Sequence, residues 1–260
     1  MTTQHWYSWI HSPWLRGAYI ALIVTVAFRV EAWAQATALT LSTDIVPASG
    51  GNVEITPIAH ASVQVEHGGT VIHVDPWRQG YYTNAKLADL ILVTEGAGDH
   101  LDPEAIAAIR KAGATVVVPP SARGIVFNNT VLANGTTTRV RGVGIEAVPS
   151  YDLKPGHTFH PKGQGNGYVV TLGGVRLYFS GGGLECVPEI QALTDIDVAF
   201  LAMNLPNDRM TPLAAAECVK IFKPKIVYPY HYRDANLKVF RDALEGLPID
   251  VRLADWYPEQ

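Results

Sequence analysis

The stretch Leu90-Ile-Leu-Val-Thr-Glu-Gly-Ala-Gly-Asp-His-Leu-Asp102 constrains this chain more than any other. It opens with a short apolar run that stops at Thr94 and reads as a buried strand. A glycine-loosened loop follows, then the Asp99-His100 pair, then Asp102-Pro103, which predicts a helix from about residue 103. A strand that delivers a carboxylate and an imidazole side by side into a loop is how an α/β protein builds a metal or acid–base site. The same pair also has a plain structural use, Asp99 capping the turn and His100 packing beneath it. The rest of the chain has to decide between the two.

At 260 residues the chain suits one large domain with a sizeable core. A net charge of −4 supplies no basic face, so a nucleic-acid partner is not expected. Residues 1–36 stand apart. Arg16 precedes the apolar run from Gly17 to Phe28, and Ala32-Trp-Ala-Gln-Ala36 offers small-x-small cleavage sites. A run that short makes a signal-peptide core rather than a bilayer span, so export to a periplasmic or secreted location is expected. The alternative is an uncleaved N-terminal membrane anchor, since Arg29 and Glu31 crowd the cleavage zone. Cys186 and Cys218 either pair in an oxidising compartment or remain as two buried thiols; spacing does not choose.

Residues 37–52, ending in Pro47-Ala-Ser-Gly-Gly51, read as a linker, and residues 53–260 as the domain. Its opening predicts three meandering strands over 53–58, 62–66 and 70–75. The strand at 90–94 and a helix over 103–112 come next, then a strand at 115–118 and a short helix over 121–126. Short strands are expected near 130–132, 138–140 and 144–148. Tyr151 to Gly167 carries His157, His160 and several glycines with little apolar periodicity, and is expected to loop over a site. A hairpin over 168–179 turns at Gly173-Gly174. A helix from Pro188, a strand at 197–202, a helix at 212–222 and a strand at 225–228 follow, and then helix 236–244 and strand 250–253. The second half therefore repeats the style of the first, in a different order. Pattern alone supports a layered α/β fold.

Asp99-His100 after a strand, Phe159-His-Pro-Lys-Gly163 in a long loop and Tyr228-Pro-Tyr-His-Tyr232 after a late strand fall in that order. With Ile58-Ala-His-Ala-Ser62 and Val74-Asp-Pro-Trp77, the set resembles the metallo-β-lactamase superfamily. More narrowly, it resembles the branch of metal-dependent hydrolases that includes ascorbate-6-phosphate lactonase and N-acyl-phosphatidylethanolamine phospholipase D. The resemblance spans about residues 53–257 and implies an αββα sandwich, two mixed β-sheets face to face with helices outside. It also implies two metal ions held by an H-x-H-x-D-H motif, a loop histidine, a bridging aspartate and a last histidine. Carried across, Asp99, His100 and His231 match the ligands of the second metal, and His160 matches the loop histidine better than His157 does.

Three positions depart from that pattern. Glu95 and Ala97 stand where the first two histidines are expected, and Gly182 where the bridging aspartate is expected. Alanine and glycine bring no donor atom, which leaves His160 and Glu95 at the first metal, too few for tetrahedral zinc. What remains is a single-ion site of Asp99, His100 and His231, a two-histidine, one-carboxylate set with open positions. Zinc is the default ion, and iron or manganese suits the same ligands. Asp99 and Glu95 are then the catalytic carboxylates, Glu95 as general base or fourth ligand, with Glu185, displaced by one residue from the family pattern, as a substitute carboxylate. His60 and Asp75 are expected as scaffold residues near the site, and Trp256 as a packing anchor. Two functions follow: an exported hydrolase acting through one divalent ion on a small ester, lactone or phosphodiester, or a non-catalytic protein binding a ligand or partner on the same scaffold.

Overall fold

Both halves of the chain lay down their strands in one repeated order. A computed structural model describes residues 42–153, 159–182, 185–203 and 210–257. The segment 1–36, expected as signal or anchor, and His157 lie outside the described residues. The first sheet runs β1 (Asp44–Val46), β2 (Val53–Ala59), β3 (Ser62–His67), β4 (Thr70–Val74), β5 (Ala88–Leu92), β6 (Arg110–Val118) and β7 (Asn129–Val131). Its first four strands are antiparallel and the rest join in parallel. The second sheet repeats this with β8 (Thr137–Val140), β9 (Val143–Ser150), β10 (Gly165–Leu172), β11 (Val175–Phe179), β12 (Val198–Ala202), β13 (Ile226–Tyr230) and β14 (Asp250–Val251). Again four antiparallel strands lead and three parallel ones follow. The two halves thus share one order, where the sequence suggested two.

The layering comes from strands buried on both faces, which therefore read as continuous apolar runs. In β5, Leu90 and Leu92 join the core between the sheets, whereas Ile91 packs outward with Ile106 and Ile109 of α1 (Pro103–Ile109). In β12, Phe200 points to the shared core. Ala199 and Leu201 point out toward α2 (Pro188–Gln191), α3 (Pro212–Phe222) and α4 (Leu237–Ala243). The shared core centres on Phe200, stacked on Phe179 at 4.7 Å and on Tyr228 at 5.0 Å between ring centroids. Trp256 closes it edge-on and is fully buried, a packing anchor. The result is an αββα sandwich.

Several local expectations change. The linker over 37–52 is not all linker: Asp44–Val46 pairs with β2 as an edge strand and buries Val46. Helix α1 ends at Ile109 rather than 112, because Arg110 turns extended and pairs with Ala88. Only a 3₁₀ turn over Pro120–Ala122 forms where a helix to 126 was expected; Gly124 (φ +79) breaks it. β10 starts at Gly165, paired with Ser150, so the loop over the site ends earlier than Gly167. Cys186 and Cys218 form a disulfide that ties the segment after β11 to α3.

In a sheet of this kind the carboxyl ends of the parallel strands open onto one edge, where ligands bind. Here the chain leaving β4, β5, β11 and β13 meets the turn between β2 and β3. His231 N donates to the His60 carbonyl at 3.0 Å, and Asn166 N to the Thr94 carbonyl at 2.9 Å, so the two sheets are stitched together at this edge.

Candidate metal centre

Four side chains converge at that edge. His60, Asp99, His100 and His231 place one donor atom each within 4.8 Å of one another. His60 comes from the β2–β3 turn, Asp99 and His100 from the β5–α1 loop, and His231 from the residue after β13. Asp102 caps α1 by accepting from Glu104 N and Ala105 N, and Ala97 O accepts from His100 N at 2.9 Å. Together these fix the short loop that presents Asp99 and His100. Among the described residues, eight non-glycine positions hold a left-handed φ. His60 (55), Asp75 (43), His231 (54) and Arg233 (46) are four of them, all at this edge. Backbone held in so sparsely populated a region persists where the surroundings enforce it, and it clusters at functional sites.

Each imidazole is tied from behind on its outer nitrogen, Nδ1. His100 Nδ1 lies 2.7 Å from Asp75 Oδ2, and Asp75 is itself fixed by Thr94 N at 2.7 Å and Thr94 Oγ1 at 2.6 Å. His60 Nδ1 lies 2.5 Å from the Tyr257 hydroxyl, leaving Nε2 3.1 Å from Asp99 Oδ2. His231 Nδ1 faces the Met203 carbonyl at 3.3 Å. Outer partners of this kind fix tautomer and ring orientation in metal-binding histidines. The rings also pack on one another, His60 on His231 at 3.8 Å and His100 on His231 at 5.2 Å between centroids.

Burial and charge set the protonation states. Burial holds His60 below the ordinary imidazole range and His231 well below it, His100 adding repulsion in both cases. The His60 hydrogen bond, helped by the charge of His100, keeps Asp99 well below the usual carboxylate range. For His100, burial works downward but the carboxylates of Glu95 and Asp75 outweigh it and push it up to about 9. Neutral imidazoles and an ionised carboxylate are the forms that ligate a cation. The donor set therefore fits a divalent ion, with His100 giving up a proton as the ion enters.

The structure brings Asp99, His100 and His231 together. It does not bring His160 into that group. His160 stands across Glu95, its Nε2 at 2.8 Å from Glu95 Oε2, while Glu95 Oε1 lies 3.2 Å from His100 Nε2. His160 is also held by Asp152, 3.3 Å from its Nδ1. Glu185 accepts Leu153 N at 2.9 Å and lies outside the group. His60, expected only as scaffold, is one of the four, and Asp75 and Tyr257 hold its neighbours and itself from behind. The signal for His60 and Asp75 was present in Ala-His-Ala and Val-Asp-Pro, each a polar residue ending an apolar run. Nothing in the sequence points to Tyr257 as the partner of His60.

A cleft of about 550 Å³ opens above the group, walled by Ser121, Phe159, Gln164 and Arg233. Arg233 Nη2 sits 3.3 Å from Asp99 Oδ2 and adds a cation to that wall.

Residues 54–231 match the family described as Beta-lactamase superfamily domain. Over 221 residues the chain is 30% identical to a UPF0173 metal-dependent hydrolase of Methanopyrus kandleri, covering 77% of this chain and 95% of that one. A crystal structure from Parabacteroides distasonis, named as a metal-dependent hydrolase, is 39% identical with a TM-score of 0.78, covering 83% of this chain and 99% of that one. CmlA, a diiron β-hydroxylase from Streptomyces venezuelae, shares the fold at 18% identity and a TM-score of 0.63, covering 80% of this chain and 53% of that one. With its two-sheet sandwich and its group of histidines and aspartate at the sheet edge, this chain belongs to the metallo-β-lactamase superfamily.

Proposed function

We propose that the protein is a hydrolase dependent on one divalent ion, zinc, acting on a small ester, lactone or phosphodiester. The observation that carries this is the convergence of four donors within 4.8 Å, each imidazole braced on its far nitrogen. The relatives named as metal-dependent hydrolases support the same reading. Four protein ligands close a tetrahedral site, whereas three leave room for chemistry. We assign Asp99, His100 and His231 as the ligands. His60 then donates from Nε2 to Asp99 and orients the carboxylate. A bound zinc ion supplies a Lewis acid that activates water and polarises the scissile group.

The chain's own groups do the rest. Glu95 sits beside His100 as the carboxylate placed to take a proton from water, and Arg233 stands where a carbonyl or phosphoryl oxygen would bear charge. Phe159 and the segment to Gln164 cover one side of the cleft and restrict its size. The Cys186–Cys218 bond supports export, since disulfides persist in oxidising compartments.

The competing reading is a metal-free binding protein. It draws on Glu95, whose carboxylate already pairs with both His100 and His160. Turnover of aryl esters, lactones and bis(p-nitrophenyl) phosphate, measured with zinc-loaded and chelated protein, separates the two. Zinc-dependent turnover of one class, lost in His231→Ala, is expected. Absence of turnover on every class by zinc-loaded protein leaves the binding reading.

A further inference from the structure

Two loops that are far apart in sequence compete for one small volume in the site. A Cβ built on Gly182 would lie 1.6 Å from Glu95 Oε1 and 2.6 Å from Glu95 Cδ. The first is a bonding distance, so no side chain at 182 coexists with Glu95 where it stands. The neighbouring Gly181 needs to be glycine on other grounds: its φ is +64 and its Cβ would strike Thr94 at 2.3 Å. Gly182 has no left-handed φ. What excludes a side chain there is the Glu95 carboxylate.

That carboxylate is not free to swing aside at small cost. Oε1 lies 3.2 Å from His100 Nε2, and Oε2 lies 2.8 Å from His160 Nε2. The glutamate side chain is only 12% exposed. Moving it would take an ionised partner from Nε2 of the buried His100 and of the half-buried His160, and breaking charge-assisted hydrogen bonds in a mostly buried site is costly. An aspartate at 182 would begin its side chain within bonding distance of where Glu95 now ends.

We infer that positions 95 and 182 share a single carboxylate slot, which this chain fills from residue 95. Glu95 there braces His160 and places a carboxylate beside the His100 nitrogen that faces the ion, which is also where a general base is wanted. The inference rests on the metal-site reading for its functional consequence. Its geometric part stands without a metal.

The test is a transplanted carboxylate. Glu95→Ala, Gly182→Asp, Glu95→Gln/Gly182→Asp and the double variant Glu95→Ala/Gly182→Asp are compared by zinc competition with a chelating dye and by melting of the apoprotein. Each single variant is expected to weaken zinc binding by about ten-fold or more, Glu95→Ala because a carboxylate beside the ion is lost and Gly182→Asp because its side chain displaces that carboxylate. Glu95→Ala/Gly182→Asp regains most of that loss, whereas the glutamine pairing does not, because glutamine still fills the slot. A double variant no better than the two single losses multiplied together overturns the inference, as does Glu95→Ala binding zinc like the parent. If the parent binds no zinc, the proposed function fails, and the slot is read from apoprotein melting alone. There the double variant must melt above Gly182→Asp, and a double variant that melts no higher overturns the shared slot.

Discussion

Replacing Asp75 by asparagine perturbs the centre without touching a proposed ligand. Asp75 is fully buried and takes three hydrogen bonds, from Thr94 N (2.7 Å) and Thr94 Oγ1 (2.6 Å) and on the His100 Nδ1 side (2.7 Å). Asparagine has nearly the same shape. Its amide oxygen keeps the Thr94 N–H, which leaves an NH₂ where Oδ2 faced two donors. The Thr94 hydroxyl can rotate to accept. His100 can accept only at Nδ1, which moves its remaining proton to Nε2, the nitrogen on the site side. A ring protonated there does not ligate.

Restoring the productive tautomer against that NH₂ sets two donors face to face, at a cost of about 1–3 kcal/mol for the unmade bond. That corresponds to roughly 5- to 150-fold in affinity, in line with the ten- to hundred-fold losses typical of partners that orient metal-bound histidines. Zinc affinity of Asp75→Asn, measured by chelator competition alongside a circular dichroism melt, is therefore expected to fall about ten- to a hundred-fold in a folded protein. A folded Asp75→Asn that binds zinc as tightly as the parent refutes the reasoning, because His100 would then not depend on Asp75 for its tautomer.

Two further predictions lie outside the centre. Burial pushes the His73 imidazole down to about 4 from 6.5, against the help of the Lys86 carbonyl at 2.9 Å. The unfolded chain therefore binds a proton that the folded chain refuses, and stability falls as pH drops from 6.5 to about 4, by on the order of 3 kcal/mol. His73→Gln should flatten this acid limb in urea titrations run across that range; an unchanged slope contradicts it. Cys186 and Cys218 close a loop of sequence separation 32, which in the chain-entropy account contributes about 3.7 kcal/mol. Cys186→Ser/Cys218→Ser should lower the melting temperature by roughly 10 °C, and melting unchanged within the scatter of repeat scans speaks against a bond in the native protein.

Much of the fold was legible because β5 and β12 are apolar on both faces and could be little else than central strands. Asp102-Pro103 marked the start of α1 for a local reason, a capping carboxylate before a proline. Asp99 and His100 were legible as a pair for the same reason: adjacent residues in one loop. What escaped were relations that exist only after folding. His60 meets Tyr257 across 197 positions, and His100 meets Asp75 across 25. β1 is three residues long with one buried apolar side chain, too little pattern to separate it from a linker. Glu95 and Gly182 each looked like a lost ligand when taken singly. Only in the fold does the Glu95 carboxylate come to stand where a side chain at 182 would begin.

Metal content tests the central claim most directly. Protein purified without a histidine tag should carry about one equivalent of zinc by inductively coupled plasma mass spectrometry. Chelator should remove it and lower the melting temperature, and His231→Ala should retain none. Protein that carries no metal after zinc loading and melts unchanged with chelator contradicts a metal centre, and two tightly held equivalents contradict a single-ion site.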